Sequence, residues 1–183
     1  RRLKIKVDHD RPVEFVTAIR IARPDALLFV DANQAWTLDQ LMEVAPALPA
    51  LDVQLIEQPL PRGCDDDLRG YDSPVPLSAD ESCQHLGELE RALQLYQVIN
   101  VKLDKAGGLT EALRLATTIR QAGARLLVSN MGGTSLSMAP AFLLAQLADY
   151  VELDGHFVLR SDRPFALVHD DQGLQPPSFR LWG

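Results

Sequence analysis

Leu55-Ile56-Glu57-Gln58-Pro59 is a short apolar run closed by one acid, and the same form recurs along the chain. Lys6, Asp31, Glu57, Asp80 and Lys102 each end such a run, at intervals of 25, 26, 23 and 22 residues. Each interval is close to the length of one strand, one helix and two loops. Three acids flanked by two lysines at strand ends form an active-site layout.

Outward from this stretch the chain alternates strands and helices. Asp10 is placed to cap a helix with Phe15, Ile19 and Ala22 on one face, and Pro24 stops it. Residues 27–31 form a uniformly apolar, buried strand ending in Asp31. Thr37-Leu38-Asp39-Gln40 fits a capping box that opens a helix running towards Leu48, with Pro49 just beyond. Further strands fall at 53–57, 75–79, 98–102, 126–129 and 150–153, and helices at 85–95, 110–123 and 137–147. The segment from Pro59 to Asp67, rich in Pro, Gly and Asp, leaves room for a short helix only. Gly107-Gly108 breaks the chain before the helix at Thr110, and Gly123 suits the left-handed position at its end.

Seven strands alternating with helices imply a parallel sheet with right-handed crossovers, either doubly wound or closed into a barrel. An open sheet gathers its chemistry at one switch point, whereas here polar groups end every strand. Gly107-Gly108 and Gly132-Gly133 lack the spacing of a dinucleotide or Walker loop. These features favour a TIM-type (β/α)8 barrel whose first strand is absent. On this reading residues 1–159 are the barrel domain and 160–183 an appendage packed on its outside.

Composition sets outer bounds. The 183 residues, 46% hydrophobic and 23% charged, suit one sizeable core. A net charge of −7 argues against nucleic acid or an anionic membrane surface as partner. Cys64 and Cys83 have no paired spacing, so a reducing, cytoplasmic setting is expected. No apolar run approaches the roughly 20 residues of a membrane helix. The alternation Leu3-Lys4-Ile5-Lys6-Val7 begins within three residues of the N-terminus without an initiator Met, so further upstream sequence is expected.

If Asp31, Glu57 and Asp80 end neighbouring strands, their carboxylates converge and repel. A divalent, oxygen-seeking cation removes the repulsion, and three carboxylates with open positions suit Mg2+ or Mn2+. One such acid alone reads as an ordinary loop residue; three in register do not. Lys4 and Lys6 alternate and so share a face of their strand. Taken alone they read as an exposed strand edge, and Lys102 and Lys105 as a solvated loop. With the acids, Lys6 and Lys102 fall on opposite barrel strands and address the two faces of one substrate, and the like charge of Lys4 eases proton loss from Lys6. The implied reaction abstracts the proton next to a carboxylate through an enediolate, with the metal stabilising the developing charge.

Lys4-Ile5-Lys6, Asp31-Ala32-Asn33-Gln34, Glu57-Gln58-Pro59, Asp80-Glu81-Ser82 and Val101-Lys102-Leu103-Asp104-Lys105, in that order, resemble the enolase superfamily, and within it the muconate-lactonizing-enzyme subgroup. The resemblance implies that Asp31, Glu57 and Asp80 are magnesium ligands and that Lys6 and Lys102 are the acid/base pair. It also implies an N-terminal α+β capping domain that closes the site. The mandelate-racemase type carries a histidine base after its seventh strand; this chain has Ser129-Asn130-Met131-Gly132 there. Glu152-Leu153-Asp154-Gly155 resembles the Asp-x-Asp motif with which dipeptide epimerases hold a substrate ammonium, with Glu at the first position and His156 where relatives often have Pro. Lys4, Asn33, Glu152 and Asp154 are then the candidate substrate-binding residues.

The expected function is a magnesium-dependent isomerase, an epimerase acting on a dipeptide of the L-Ala-D/L-Glu type, in a homo-oligomer. The rivals are an N-acyl-amino-acid racemase, a cycloisomerase or an o-succinylbenzoate-synthase-like lyase. From another class comes an inactive metal-binding or interaction fragment.

Overall fold

The computed structural model describes residues 2–171 and 173–183; the first residue of the expected barrel domain and Gln172 of the expected appendage lie outside them. The chain forms two compact units, Arg1–Ser82 with Arg91–Val98, and Cys83–Glu90 with Ile99–Gly183.

The first unit contains four parallel strands in chain order, β1 (Arg2–Lys6), β2 (Leu27–Asp31), β3 (Val53–Glu57) and β4 (Leu77–Ala79). Leu28, Phe29, Val30, Leu55 and Ile56 are all essentially inaccessible, as befits apolar strands covered on both faces. Register then does the positioning. Lys6 pairs with Asp31, Asp31 with Glu57, and Glu57 with Ser78. A lysine and two acids therefore lie in one row across three strands, with Asp80 two residues past that row.

Helix α1 (Pro12–Ala22) corrects one expectation. Asp10 makes no cap. Arg11 takes the N-cap position in the left-handed region, φ 47°, while the Asp10 amide donates to Asp8 Oδ1 at 2.8 Å. Pro12 starts the helix because its fixed φ suits the first turn and its missing N–H has no partner there anyway. That start turns Pro12 and Val16 inward, whereas Phe15 is 53% exposed. Helix α2 (Leu38–Val44) has both bonds of the expected capping box, Gln40 N to Thr37 Oγ1 at 3.3 Å and Thr37 N to Gln40 Oε1 at 3.0 Å. It ends earlier than expected, because Pro46 lacks an N–H and the chain continues as 3-10 turns at Ala45–Ala47 and Pro49–Leu51.

Helix α3 (Leu86–Leu93) and strand β5 (Val98–Lys102) follow at their expected places. In the second unit the helical turn α4 (Leu103–Ala106), not foreseen, precedes α5 (Leu109–Gln121), and Gly107 and Gly108 between them have φ of 86° and 105°. Strand β6 (Arg125–Ser129) pairs in parallel with β7 (Tyr150–Glu152), setting Ser129 opposite Glu152. Between them runs α6 (Ser135–Ala145), whose Met138, Ala139, Ala141 and Leu144 are buried. The last residues lie along it: Leu167 and Leu181 pack on Met138 and Ala139, beside the antiparallel pair β8 (His169–Asp170) and β9 (Gly173–Leu174). No helix among the described residues is long and apolar enough to cross a membrane.

Candidate active site

Parallel strands buried on both faces end where the chain emerges from the sheet, so the row of charges lies at that rim. Asp31 and Glu57 are 0% exposed and Asp80 is 2% exposed. Carboxylates so deeply placed are costly unless opposite charge and hydrogen bonds meet them. Lys4 and Lys6 do so. Lys4 Nζ lies 2.7 Å from Glu57 Oε2 and 3.1 Å from Asp31 Oδ2, and Lys6 Nζ lies 2.5 Å from Asp31 Oδ2. Their same-face alternation on β1 brings both ammoniums to the neighbouring strands' acids.

Asn33 joins this group through the turn after β2. Asn33 and Gln34 both adopt positive φ, 45° and 67°. The turn is held because Ala32 N, Gln34 N and Trp36 N donate to Glu57 O, Gln58 O and Pro59 O. Asn33 N donates to Asp31 Oδ1 at 2.9 Å, and Asn33 Oδ1 accepts from Lys6 Nζ at 2.6 Å. Lys4, Lys6, Asp31, Asn33 and Glu57 are thus brought together. The backbone of Asp80 is held by the side chain of Gln58, whose Oε1 receives the Asp80 amide at 3.0 Å.

Among the described residues no group of three or more His, Cys, Asp or Glu side chains stands ready to hold a metal ion. The donor set nevertheless fits a hard cation. It consists of oxygens alone, and three buried acids against a part-buried Lys4 and an exposed Lys6 leave a formal charge of −1.

Lys102, Glu152 and Asp154 belong to the second unit. Lys102 ends β5 and is half-buried. Beneath it, Ser129 Oγ donates to the buried Asn100 Oδ1 at 2.6 Å. Glu152 is half-buried and Asp154 exposed. The Asp154 amide donates to Asn130 Oδ1 at 3.2 Å, which ties the segment after β7 to the one after β6. His156 stacks on His169 with ring centroids 5.1 Å apart, and its Nδ1 lies 3.2 Å from Met138 Sδ. Burial and then the neighbouring His156 lower the His169 pKa, against the pull of Asp154 and Asp170. Burial, then the Glu88 carboxylate, push the Cys83 thiol up to about 12, which disfavours its thiolate form.

Sequence reasoning quoted Gln58 and Asn130 without a role for either. A glutamine immediately before Pro59, at the end of a buried strand, was the available signal for Gln58. Nothing local marked Asn130.

Comparison with known proteins bears directly on this arrangement. The family model described as enolase C-terminal domain-like matches residues 1–178. An N-acetyl-D-glutamate racemase from Pseudoalteromonas is 44% identical over 99% of this chain and 58% of its own length. The L-Ala-D/L-Glu epimerase of Escherichia coli K12 is 42% identical over 84% of this chain and 48% of its own. The chain therefore spans about half the length of the curated relatives it matches.

Among solved structures, an enolase family member from Agrobacterium tumefaciens with homology to dipeptide epimerases, holding sodium and L-Ala-L-Glu, superposes with a TM-score of 0.92. It is 39% identical, over 100% of this chain and 56% of that one. A dipeptide epimerase from Cytophaga hutchinsonii, complexed with Mg and D-Ala-L-Val, gives a TM-score of 0.88 at 27% identity, over 96% of this chain and 51% of that one. The strands and helices are those of the enolase-superfamily α/β barrel, as the sequence pattern implied. Fold, motif order and sequence agree that the chain belongs to the enolase C-terminal domain-like family.

Proposed function

We propose that the protein containing this chain is a magnesium-dependent epimerase that moves the proton next to a carboxylate, with a dipeptide as substrate. The observation that carries this reading is the row Lys6, Asp31 and Glu57, with the Lys4 ammonium between the two buried acids. Asp31, Glu57 and Asp80 would hold the cation, magnesium or in its place manganese. When bound, such an ion supplies positive charge where negative charge develops on the substrate carboxylate.

The remaining roles fall to side chains. Lys6 Nζ, held between Asp31 and Asn33, takes or returns the proton on one face of the substrate. Lys102 serves the other face. Lys4 and Asn33 orient the carboxylate end, and Glu152 and Asp154 receive the ammonium of the dipeptide as a pair of anions at i and i+2. The substrate is a small-molecule carboxylate, and the free thiols Cys64 and Cys83 support a cytoplasmic setting. A homo-oligomer completes the proposal.

A second reading is favoured by one finding, the 44% identity to a protein named as an N-acetyl-D-glutamate racemase. An N-acyl substrate has no ammonium and does not need the two acids Glu152 and Asp154. Replacing both, as Glu152→Gln with Asp154→Asn, should damage a dipeptide epimerase and spare an N-acyl racemase.

The direct test follows loss of the α-proton signal by NMR in heavy water, with magnesium and a panel of dipeptides and N-acyl amino acids. Exchange on dipeptides is expected. Lys6→Ala and Lys102→Ala should each abolish exchange from one starting stereoisomer more than from the other. Equal, mild effects would overturn the opposed-lysine mechanism, and no exchange on any compound would overturn the epimerase reading.

A further inference from the structure

Strand β4 is only three residues long, and its ladder with β3 ends at the pair Glu57 and Ser78. Asp80 lies beyond the ladder, yet its carboxylate must keep a fixed distance from that of Glu57 if both hold one ion. The side chain of Gln58 bridges this gap.

Gln58 is fully buried. Its Oε1 accepts from the amides of Asp80 at 3.0 Å and Ser82 at 3.1 Å. The two hydrogens of its Nε2 are shared among Leu60 O at 2.9 Å, Ser82 Oγ at 2.8 Å and Tyr96 Oη at 3.3 Å. The amide cannot be reversed, because its NH2 would then face two N–H donors. The amide presents its acceptor and its donor in one rigid plane, so a single side chain accepts from the segment after β4 and donates to the segment after β3.

The backbone of Gln58 is pinned as well. Its N–H donates to Ser78 O and its carbonyl accepts from Gln34 N, both at 2.8 Å. It has φ 35°, a conformation a non-glycine residue keeps only when its surroundings over-determine it. Behind it stands a second layer. Tyr96 Oη donates to Asp65 Oδ1 at 2.6 Å, and the Gly63 amide donates to Asp65 Oδ2 at 3.1 Å. Burial, then the bond to Asp65, raise the Tyr96 pKa, which keeps its hydroxyl a donor. Burial opposes charge on Asp65, but the hydrogen bonds from Ser82, Tyr96 and Gly63 outweigh it and lower its pKa.

We propose that Gln58 is the positioning residue of the cation site, a brace that fixes the backbone of Asp80 relative to Glu57, with Ser82, Tyr96 and Asp65 holding the brace from behind. This rests on the reading that Asp31, Glu57 and Asp80 hold a divalent ion. Groups that orient ligands from behind typically change metal affinity by about 10- to 100-fold when removed.

The test measures Mn2+ affinity of the full-length protein from the paramagnetic resonance signal of the free ion, without substrate or turnover. Gln58→Met, similar in length but without the amide, should weaken Mn2+ binding by about 10- to 100-fold. Tyr96→Phe and Ser82→Ala, which remove one partner of the brace each, should weaken it by a smaller factor. If Gln58→Met does not fold, these two variants decide, and wild-type affinity in both overturns the proposal. Wild-type affinity in a folded Gln58→Met overturns the brace alone. If the unmodified protein binds no Mn2+, the cation reading itself falls and the brace falls with it.

Discussion

The ammonium of Lys4 lies 2.7 Å from Oε2 of Glu57, a side chain with no exposure to solvent. Removing one member of a buried pair leaves the other charge without compensation, which costs roughly 3–5 kcal/mol. Lys4→Met should therefore lose stability of about that size in urea unfolding with chelator present. If Glu57 and Asp31 hold a divalent ion, that ion substitutes for the lost charge, and added Mg2+ should restore more stability to the variant than to the wild type. An equal Mg2+ effect on both would show that the ion and Lys4 do not share these carboxylates.

Arg20 is a hub built on carbonyls. Its guanidinium donates to Leu51 O at 3.0 Å, Ala26 O at 2.8 Å, and Arg23 O and Pro24 O at 3.2 Å. It ties the end of α1 to the chain before β2 and to the turn before β3. A lysine cannot spread its donors over this fork, so Arg20→Lys should cost about 2 kcal/mol. Its partners are dipoles, with the Asp52 carboxylate only at 3.9 Å, so the loss should hardly change with added salt. A loss that salt abolishes would mean the Asp52 pair carries the effect.

The N-terminus of α6 is capped from 27 residues downstream. Asp162 accepts from the Ser135 amide and hydroxyl, and Ser135 Oγ in turn accepts from the Leu167 amide. Burial raises the Asp162 pKa, but the bonds from Ser135 and the Arg163 amide, with His156 nearby, outweigh it and the net shift is downward. A lowered folded pKa gives stability that is complete above the unfolded pKa, near 3.8, and lost as pH falls through the folded one. Asp162→Asn should lower stability at neutral pH by about 1 kcal/mol and shallow the acid limb of the profile below about pH 4. An unchanged acid limb would place that titration elsewhere.

These three contacts separate what the sequence carries from what it does not. The end of β2 was legible because its run at 27–30 is unbroken and apolar, so that its first charged residue, Asp31, marks the rim. Thr37 and Gln40 were legible because a capping box is closed within four residues. The cap of α1 was misread because Asp10 and Pro12 are both start signals, and proline with a left-handed Arg11 prevailed. Gln58 could not be assigned a role, since its partners lie up to 38 residues away. The capping of α6 by Asp162 is equally remote. Local chemistry writes itself into sequence, whereas bracing appears only when distant segments meet.

Gly155 packs against Asn130, the residue that holds the segment after β7 at Asp154. A β-carbon there would lie 2.1 Å from Asn130 Nδ2 and 2.5 Å from Met131 O, and the second is backbone that cannot swing aside. Asn130 Oδ1 receives the Asp154 amide, so Gly155→Ala must displace the residue that fixes Asp154. Overpacking of this kind typically costs about 1–3 kcal/mol. If Asp154 holds a substrate ammonium, the variant should also raise KM for dipeptides several-fold more than it lowers kcat, since it disturbs binding rather than the lysines. Steady-state kinetics of the folded variant check this. A fall in kcat with KM unchanged would remove Asp154 from substrate binding.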